Sequence, residues 1–167
     1  YNQIECKKMI CCTGINSIQH TLFKKLPFSF SKGQAIIIAS NLPRNYMYKN
    51  KMSIIPWQEN QFWVGSNYQW NYNNDKPDIA FKENVIHFLT HFLKIPCTIK
   101  DHLAGIRPTN LNRRPFVGWH PTQPNIGILN GMGTKGCSLA PYFAKQFTNH
   151  ILGNGGLNNE VDIKNLL

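Results

Sequence analysis

Asn125-Ile126-Gly127-Ile128-Leu129-Asn130-Gly131-Met132-Gly133-Thr134-Lys135-Gly136 is the stretch on which the fold turns. Its first half reads as a strand, and its second half satisfies G-x-G-x-x-G. A helix follows over 137–152, with Leu139, Phe143, Phe147, Ile151 and Leu152 as its apolar face, and Gly153 to Gly156 end it. Strand, glycine turn and helix in that order have the form of a dinucleotide-binding fingerprint. The position is wrong for one. Such a unit needs a second parallel strand and a whole mononucleotide-binding half after the helix, and the chain stops at Leu167. Glu160 stands near the ribose-reading distance, but no apolar strand leads up to it. A true fingerprint opens its domain, whereas this turn closes one. The physics of the turn remains. Glycines let backbone approach a ligand, and a helix start offers unpaired N–H groups with partial positive charge. An electron-rich or anionic group suits that place. The plain alternative is a tight strand-to-helix turn that binds nothing.

Upstream of the turn, strands are expected near 115–119 and from Pro96 to about 106. The clearest helix lies over 79–94, where Ile79, Val85, Ile86, Leu89, Phe92 and Leu93 fall on one face. His87 and His91 stand four apart on it. That spacing can grip a metal, but the Glu of His-Glu-x-x-His is absent, so a solvated or partly packed face is the better reading. No metal site is assigned. Residues 46–49, 52–56 and 61–66 read as a meander, with Pro56 and Gln58-Glu59-Asn60 turning the chain. Residues 67–78 are polar and read as a loop. Lys32-Gly33-Gln34 launches a strand over 34–39, 15–26 holds a helical turn or a loop, and 7–12 is a short strand ended by Thr13-Gly14.

The chain has 167 residues, 42% hydrophobic and 12% aromatic, which excludes a disordered tail and suffices for an apolar core. Lys and Arg number 18 against 8 Asp and Glu, a formal net charge of +10. Such an excess fits an acidic partner, and nucleic acid is one candidate. The positives are scattered, however, and form no nucleic-acid-reading signature. No apolar run approaches the ~20 residues of a membrane span. Cys6, Cys11, Cys12, Cys97 and Cys137 are odd in number, sit in apolar runs and lack zinc spacing. Buried thiols in a reducing, cytoplasmic setting are expected. The start at Tyr1 opens straight into a strand-like run with no Met, as a fragment whose beginning lies elsewhere would.

Taken together, several segments resemble one family. They are Ala104-Gly105-Ile106-Arg107-Pro108-Thr109, Arg114-Pro115-Phe116-Val117-Gly118, the Asn125–Gly136 stretch, and Leu139-Ala140-Pro141. Their order is that of the carboxy-terminal part of FAD-dependent oxidoreductases of the D-amino acid oxidase and glycine oxidase type. Cys12-Thr13-Gly14, Lys32-Gly33-Gln34 and the Ile55-Pro56 to Val64-Gly65 hairpin are similar to further family elements. The resemblance implies an α+β chain. A mixed, largely antiparallel substrate-domain sheet is flanked by helices and joined by the last strand and helix of a Rossmann-like FAD-binding domain. It divides the chain into 1–30, a strand and connection of the FAD-binding domain; 31–104, the substrate-binding domain; 105–153, the return to the FAD-binding domain; and 154–167, a tail. The family's opening fingerprint is absent. The resemblance therefore implies that the amino-terminal FAD-binding half is a missing partner, and that this isolated chain is inactive and cannot hold the adenine end of FAD.

By resemblance, the cofactor is FAD and its contacts are Thr13, Gly14, Gly105, Ile106, Gly131, Met132, Gly133, Thr134, Lys135, Gly136, Cys137, Ser138 and Leu139. Arg107 matches the arginine that pairs with a substrate carboxylate, a task suited to a planar, permanently charged, bidentate donor. An ordinary ion pair is the alternative for Arg107. Lys135 is placed by the resemblance near flavin or substrate, and Tyr48 in the substrate pocket. No catalytic base stands out. Ser53 and Leu103 depart from aromatic residues common in the family, which leaves the substrate open. The implied reaction oxidises the C–N bond of an amine or amino acid by hydride transfer to flavin. The alternatives are an FAD-dependent oxidase of a modified tRNA nucleoside and a non-catalytic binding module that kept the fold.

Overall fold

A computed structural model describes residues 4–167. The chain is α+β, and its contacts separate it into two compact units. One contains the chain up to Phe30 together with Arg107–Leu167; the other is Ser31–Ile106.

The second unit is a five-stranded sheet with one helix. Its strands are β2 (Ser31–Ser40), β3 (Tyr48–Lys49), β4 (Ser53–Pro56), β5 (Gln61–Gly65) and β6 (Cys97–Arg107, whose last residue counts with the other unit), in the order β3-β4-β5-β2-β6. The hairpin and meander pairings are antiparallel, with Ile36 opposite Val64, Ile38 opposite Phe62 and Ile54 opposite Val64. Side chains alternate across a strand, so this register gathers Ile36, Ile38, Ile54, Phe62 and Val64 on one face. All five are fully buried under α1 (Ile79–Phe92), which contributes Phe81, Val85 and Leu89. Each such side chain contributes roughly 1.5–3 kcal/mol of burial. The apolar stripe expected for α1 is therefore rotated. Ile79 and Ile86 are exposed, because the sheet is met by the Phe81–Val85–Leu89 line.

The other unit holds a three-stranded sheet of β1 (Met9–Cys11), β8 (Gln123–Asn130) and β7 (Phe116–His120), in the order β1-β8-β7. β1 runs parallel to β8, and β7 runs antiparallel to it. Cys11, Phe23, Leu26, Phe116, Ile128 and Ile163 form one core. Val117, Phe143, Phe147 and Val161 form a second, beneath α2 (Gly136–Ile151). Leu152, expected on the apolar face of α2, lies past its end and is exposed. The 15–26 segment begins as a 3-10 helix, Gly14–Gln19. Only Cys11 among the cysteines is buried; Cys6, Cys12 and Cys137 face solvent, a correction to the expectation of buried thiols. Burial pushes the Cys11 thiol above its usual value, with the neighbouring Cys12 adding to the shift. No helix among the described residues is long and apolar enough to cross a membrane.

Candidate functional site

The glycine turn is held by its own unit before anything binds. β8 ends at Asn130, a buried amide whose three polar contacts are all made inside the protein. Its Nδ2 donates to Gly14 O at 2.7 Å and to Ser17 Oγ at 2.7 Å, while its Oδ1 accepts from Gly131 N at 2.8 Å. One side chain thereby ties the turn after β1 to the turn after β8. The carbonyl of the same Gly131 is taken by a second buried amide, Asn110 Nδ2, at 3.3 Å. Asn110 is fixed in turn because its Oδ1 accepts from Arg114 N at 3.0 Å.

Two glycines of the turn are required by conformation. Gly131 has φ +75° and Gly133 φ +57°, in the left-handed region that side chains avoid. A Cβ on Gly133 would meet Thr109 Cγ2 at 2.8 Å. Gly133 N donates to Pro108 O at 3.2 Å, and Thr109 N donates to Arg107 O at 2.9 Å. The residues that follow Arg107 are thus laced to the glycine loop, which brings the Arg107 backbone beside it. Arg107 itself is half-buried.

α2 begins at Gly136 with no side-chain cap and no acidic residue in its first turn. No acidic side chain in that first turn offsets the positive end of the helix. Thr134, Lys135, Cys137 and Ser138 are exposed around this helix start, whereas Met132, Gly136 and Leu139 are half-buried. Ser138 Oγ donates back to Lys135 O at 3.0 Å. Across from the loop, Thr13 is exposed and bonded to Ser17 Oγ at 2.8 Å, and Gly14 has φ +57° with open space where a Cβ would stand. An uncapped helix start, an open glycine and rigid backbone suit a flat group with an electron-rich edge, as a flavin ring is.

The sequence-derived residues do not all fall in one unit. Thr13, Gly14, Arg107 and 131–139 share one; Gly105, Ile106 and Tyr48 belong to the other. Gly105 is exposed, with open space at its Cβ position. Tyr48 packs its ring against the core under α1 and donates its hydroxyl to Pro43 O at 2.8 Å. The ring is half-buried, and its hydroxyl bond lies at the surface. Asn110 and Asn130, which organise the turn, carried no role in the sequence reading. The only hint was an amide directly before a glycine at a strand end.

A separate cavity of about 580 Å³ lies on the second unit, lined by Lys51, Asp78, Phe81, His87, Phe88 and His91 among others. The His87 and His91 rings are 4.2 Å apart, and His91 Nδ1 bonds to His87 O at 2.8 Å. Among the described residues no three potential ligands cluster as a metal site would require.

Comparison with known proteins gives the chain a family. Residues 2–150 match the family model described as FAD dependent oxidoreductase. A glycine oxidase from Bacillus licheniformis is 26% identical over 110 residues, covering 65% of this chain and 30% of the relative. The iminodiacetate oxidase of Chelativorans sp. BNC1 superposes with a TM-score of 0.76 at 20% identity, covering 98% of this chain and 46% of that one. The glycine oxidase of Geobacillus kaustophilus gives a TM-score of 0.77 at 17% identity, covering 93% of this chain and 44% of that one. The chain therefore spans less than half the length of each of these relatives.

Proposed function

The chain belongs to the family of FAD dependent oxidoreductases, and we propose that it supplies the substrate-binding and flavin-capping part of an enzyme that oxidises the C–N bond of an amine or amino acid. The observation that carries the proposal is Asn130, which holds Thr13-Gly14 and Gly131 together as one rigid rim beside the start of α2.

When bound, FAD would supply a hydride acceptor for the carbon beside the amine nitrogen. The chain's own part is to bind and to polarise. The backbone N–H groups at the start of α2 favour negative charge on whatever lies against them, through unpaired donors and the aligned peptide dipoles. Lys135, on the last residue before that helix, adds a mobile positive charge at the same end. Arg107 suits a substrate carboxylate because its planar fork makes two parallel hydrogen bonds. Oriented this way, the substrate would present the C–H bond beside its nitrogen without needing a general base from this chain, since hydride would leave from a neutral amine.

The test is the visible spectrum of the full-length protein, anaerobically, before and after addition of glycine, sarcosine and larger N-substituted amino acids. Flavin absorbance that bleaches with at least one of them is the expected result. A full-length protein that carries flavin yet stays oxidised against every amine overturns the reading.

A further inference from the structure

We propose that His87 and His91 form an open binding site for one divalent cation of the zinc, nickel or copper type. The site goes beyond the oxidoreductase reading and does not depend on it.

The helix that carries the pair also aligns it. Residues four apart on an α-helix are neighbours on one face, and α1 runs unbroken from Ile79 to Phe92. Phe81, Val85 and Leu89 turn one stripe into the core, which leaves His87 and His91 on the exposed side. Their ring centres lie 4.2 Å apart, with the rings tilted by 34°. Two imidazole nitrogens on one zinc each stand about 2.0–2.1 Å from it, and so roughly 3.3 Å from each other in a tetrahedron. Rings as close as these reach that spacing by small side-chain rotations.

Hydrogen bonding prepares one of the two rings. His91 Nδ1 lies 2.8 Å from His87 O. A carbonyl only accepts, so Nδ1 carries the proton and Nε2 keeps its lone pair. A histidine ligand is oriented in this way, one ring nitrogen donating to a carbonyl while the other faces the metal. His91 also stands in the last turn of α1, where the helix dipole favours positive charge.

The cation class follows from the donors. Imidazole suits zinc, copper and nickel, whereas magnesium and calcium prefer oxygen. A closed site is filled by protein ligands alone, and the described residues hold no cluster of three. Two imidazoles therefore make an open site, whose remaining positions fall to water or to an oxygen nearby. Asn84, one turn before His87, lines the same cavity and offers an amide oxygen. Asp78 lines it as well, but its carboxylate is already engaged by Phe81 N and Gln34 Nε2. Lys51, also in the lining, opposes a cation; its flexible stem lets the ammonium swing away. An ion held by both rings would tie together the last turns of α1, whether or not further chain covers that helix.

The experiment uses the full-length protein, stripped of metal with a chelator and titrated by calorimetry with zinc(II) and, separately, with magnesium(II). Zinc binding that is weakened about tenfold or more in His87→Ala and in His91→Ala is the expected result. His87→Gln and His91→Gln, which keep polar bulk without an imidazole, should match the alanine variants. Zinc should also raise the melting temperature of the parent more than that of either variant, because a ligand of the folded state stabilises it. A parent that binds no zinc overturns the proposal. So does an affinity unchanged in either alanine variant, since the ion would then not be shared, and so does magnesium bound as tightly as zinc. Circular dichroism of each variant separates misfolding from a lost ligand. The titration is read without any amine substrate, so its failure and failure of the oxidoreductase reading are distinct results.

Discussion

Gln34 and Asp78 grip each other from 44 positions apart in sequence: Gln34 Nε2 donates to Asp78 Oδ2 at 2.5 Å, and Asp78 N donates to Gln34 Oε1 at 2.9 Å. The other carboxylate oxygen, Oδ1, caps α1 by accepting from Phe81 N at 2.9 Å, and Lys32 Nζ lies 3.4 Å from Oδ2. Asp78 therefore starts the helix and locks it to β2. Its replacement by alanine should cost about 2–4 kcal/mol, the sum of a lost cap and of stranded partners at buried Gln34 and Lys32. Asp78→Asn, which keeps a capping oxygen, should lose less. Urea unfolding with an unchanged m-value is the measurement. An alanine variant as stable as the parent would show that the grip is incidental.

Stability should fall with acid in two stages. Burial lowers the His102 pKa from its ordinary 6.5, with the charges of Lys82 and Lys32 adding to the effect against Asp78 and Asp101. Its Nε2 is buried with no hydrogen-bond partner. The folded protein then binds this proton less readily than the unfolded chain, so stability present above about pH 6.5 declines below it. For Asp78, burial alone would raise the pKa, but the bonds from Phe81, Gln34 and Lys32 outweigh it and hold it below 3.8. Its contribution is present above the ordinary carboxylate value and is lost as pH falls beneath it. Thermal unfolding between pH 8 and 3 reads both stages, and His102→Gln should remove the first while leaving the second.

Gly133→Ala should be strongly destabilising. The left-handed backbone costs an L-residue about 1–2 kcal/mol, and the new methyl would collide with Thr109 Cγ2 at 2.8 Å. Gly155→Ala, with no neighbour within 4 Å and no left-handed backbone, should change stability by under about 0.5 kcal/mol. A comparison of the two melting temperatures checks the contrast, and equal values would contradict the packing described for the turn.

Asn130→Ala should cost about 1–3 kcal/mol, because Gly14 O and Gly131 N are left with no partner. In the full-length flavoprotein it should also weaken flavin retention, measured as flavin released on ultrafiltration. Lys25→Ala, on an exposed side chain, serves as the reference. Flavin held as tightly in Asn130→Ala as in the reference would detach the asparagine from the site.

Arg107→Ala in the full-length enzyme should raise KM for a carboxylate-bearing amine by an amount worth about 2–5 kcal/mol if the pair is desolvated. For an amine without a carboxylate it should change little. Arg107→Lys should recover only part of the loss, since a point charge cannot replace a planar fork. Equal effects on both substrates would assign Arg107 a structural role.

Much of the architecture was legible because it is periodic. Ile36, Ile37 and Ile38 announce a strand as a β-branched run, and Phe143 and Phe147 announce a helix by fourfold spacing. The limits of that reading show at Ile79, Ile86 and Leu152, apolar residues that the pattern buries and the fold exposes. Periodicity gives a stripe; which edge of it meets the sheet depends on the partner. The glycine turn was legible from its residue types, since few sequences besides a strand-to-helix turn need glycine so often. What organises it was not. Asn110 and Asn130 reach the same residue through contacts across 21 residues and across one, and an amide side chain carries no mark of what it will bond. The Gln34–Asp78 grip is hidden for the same reason.

The clamp on Gly131 bears on how a ligand would be met there. The backbone N–H and C=O of that residue are both occupied by amides set during folding, so the loop has little freedom left to surrender. Ordering a flexible segment costs about 1–2 kcal/mol per residue, and an arriving ring is spared most of that penalty. The ligand-free protein should accordingly protect the Gly131 amide from hydrogen exchange nearly as well as the loaded one. Residence time would then be governed by how well the ring's edge matches the waiting donors, not by a closing motion of the loop.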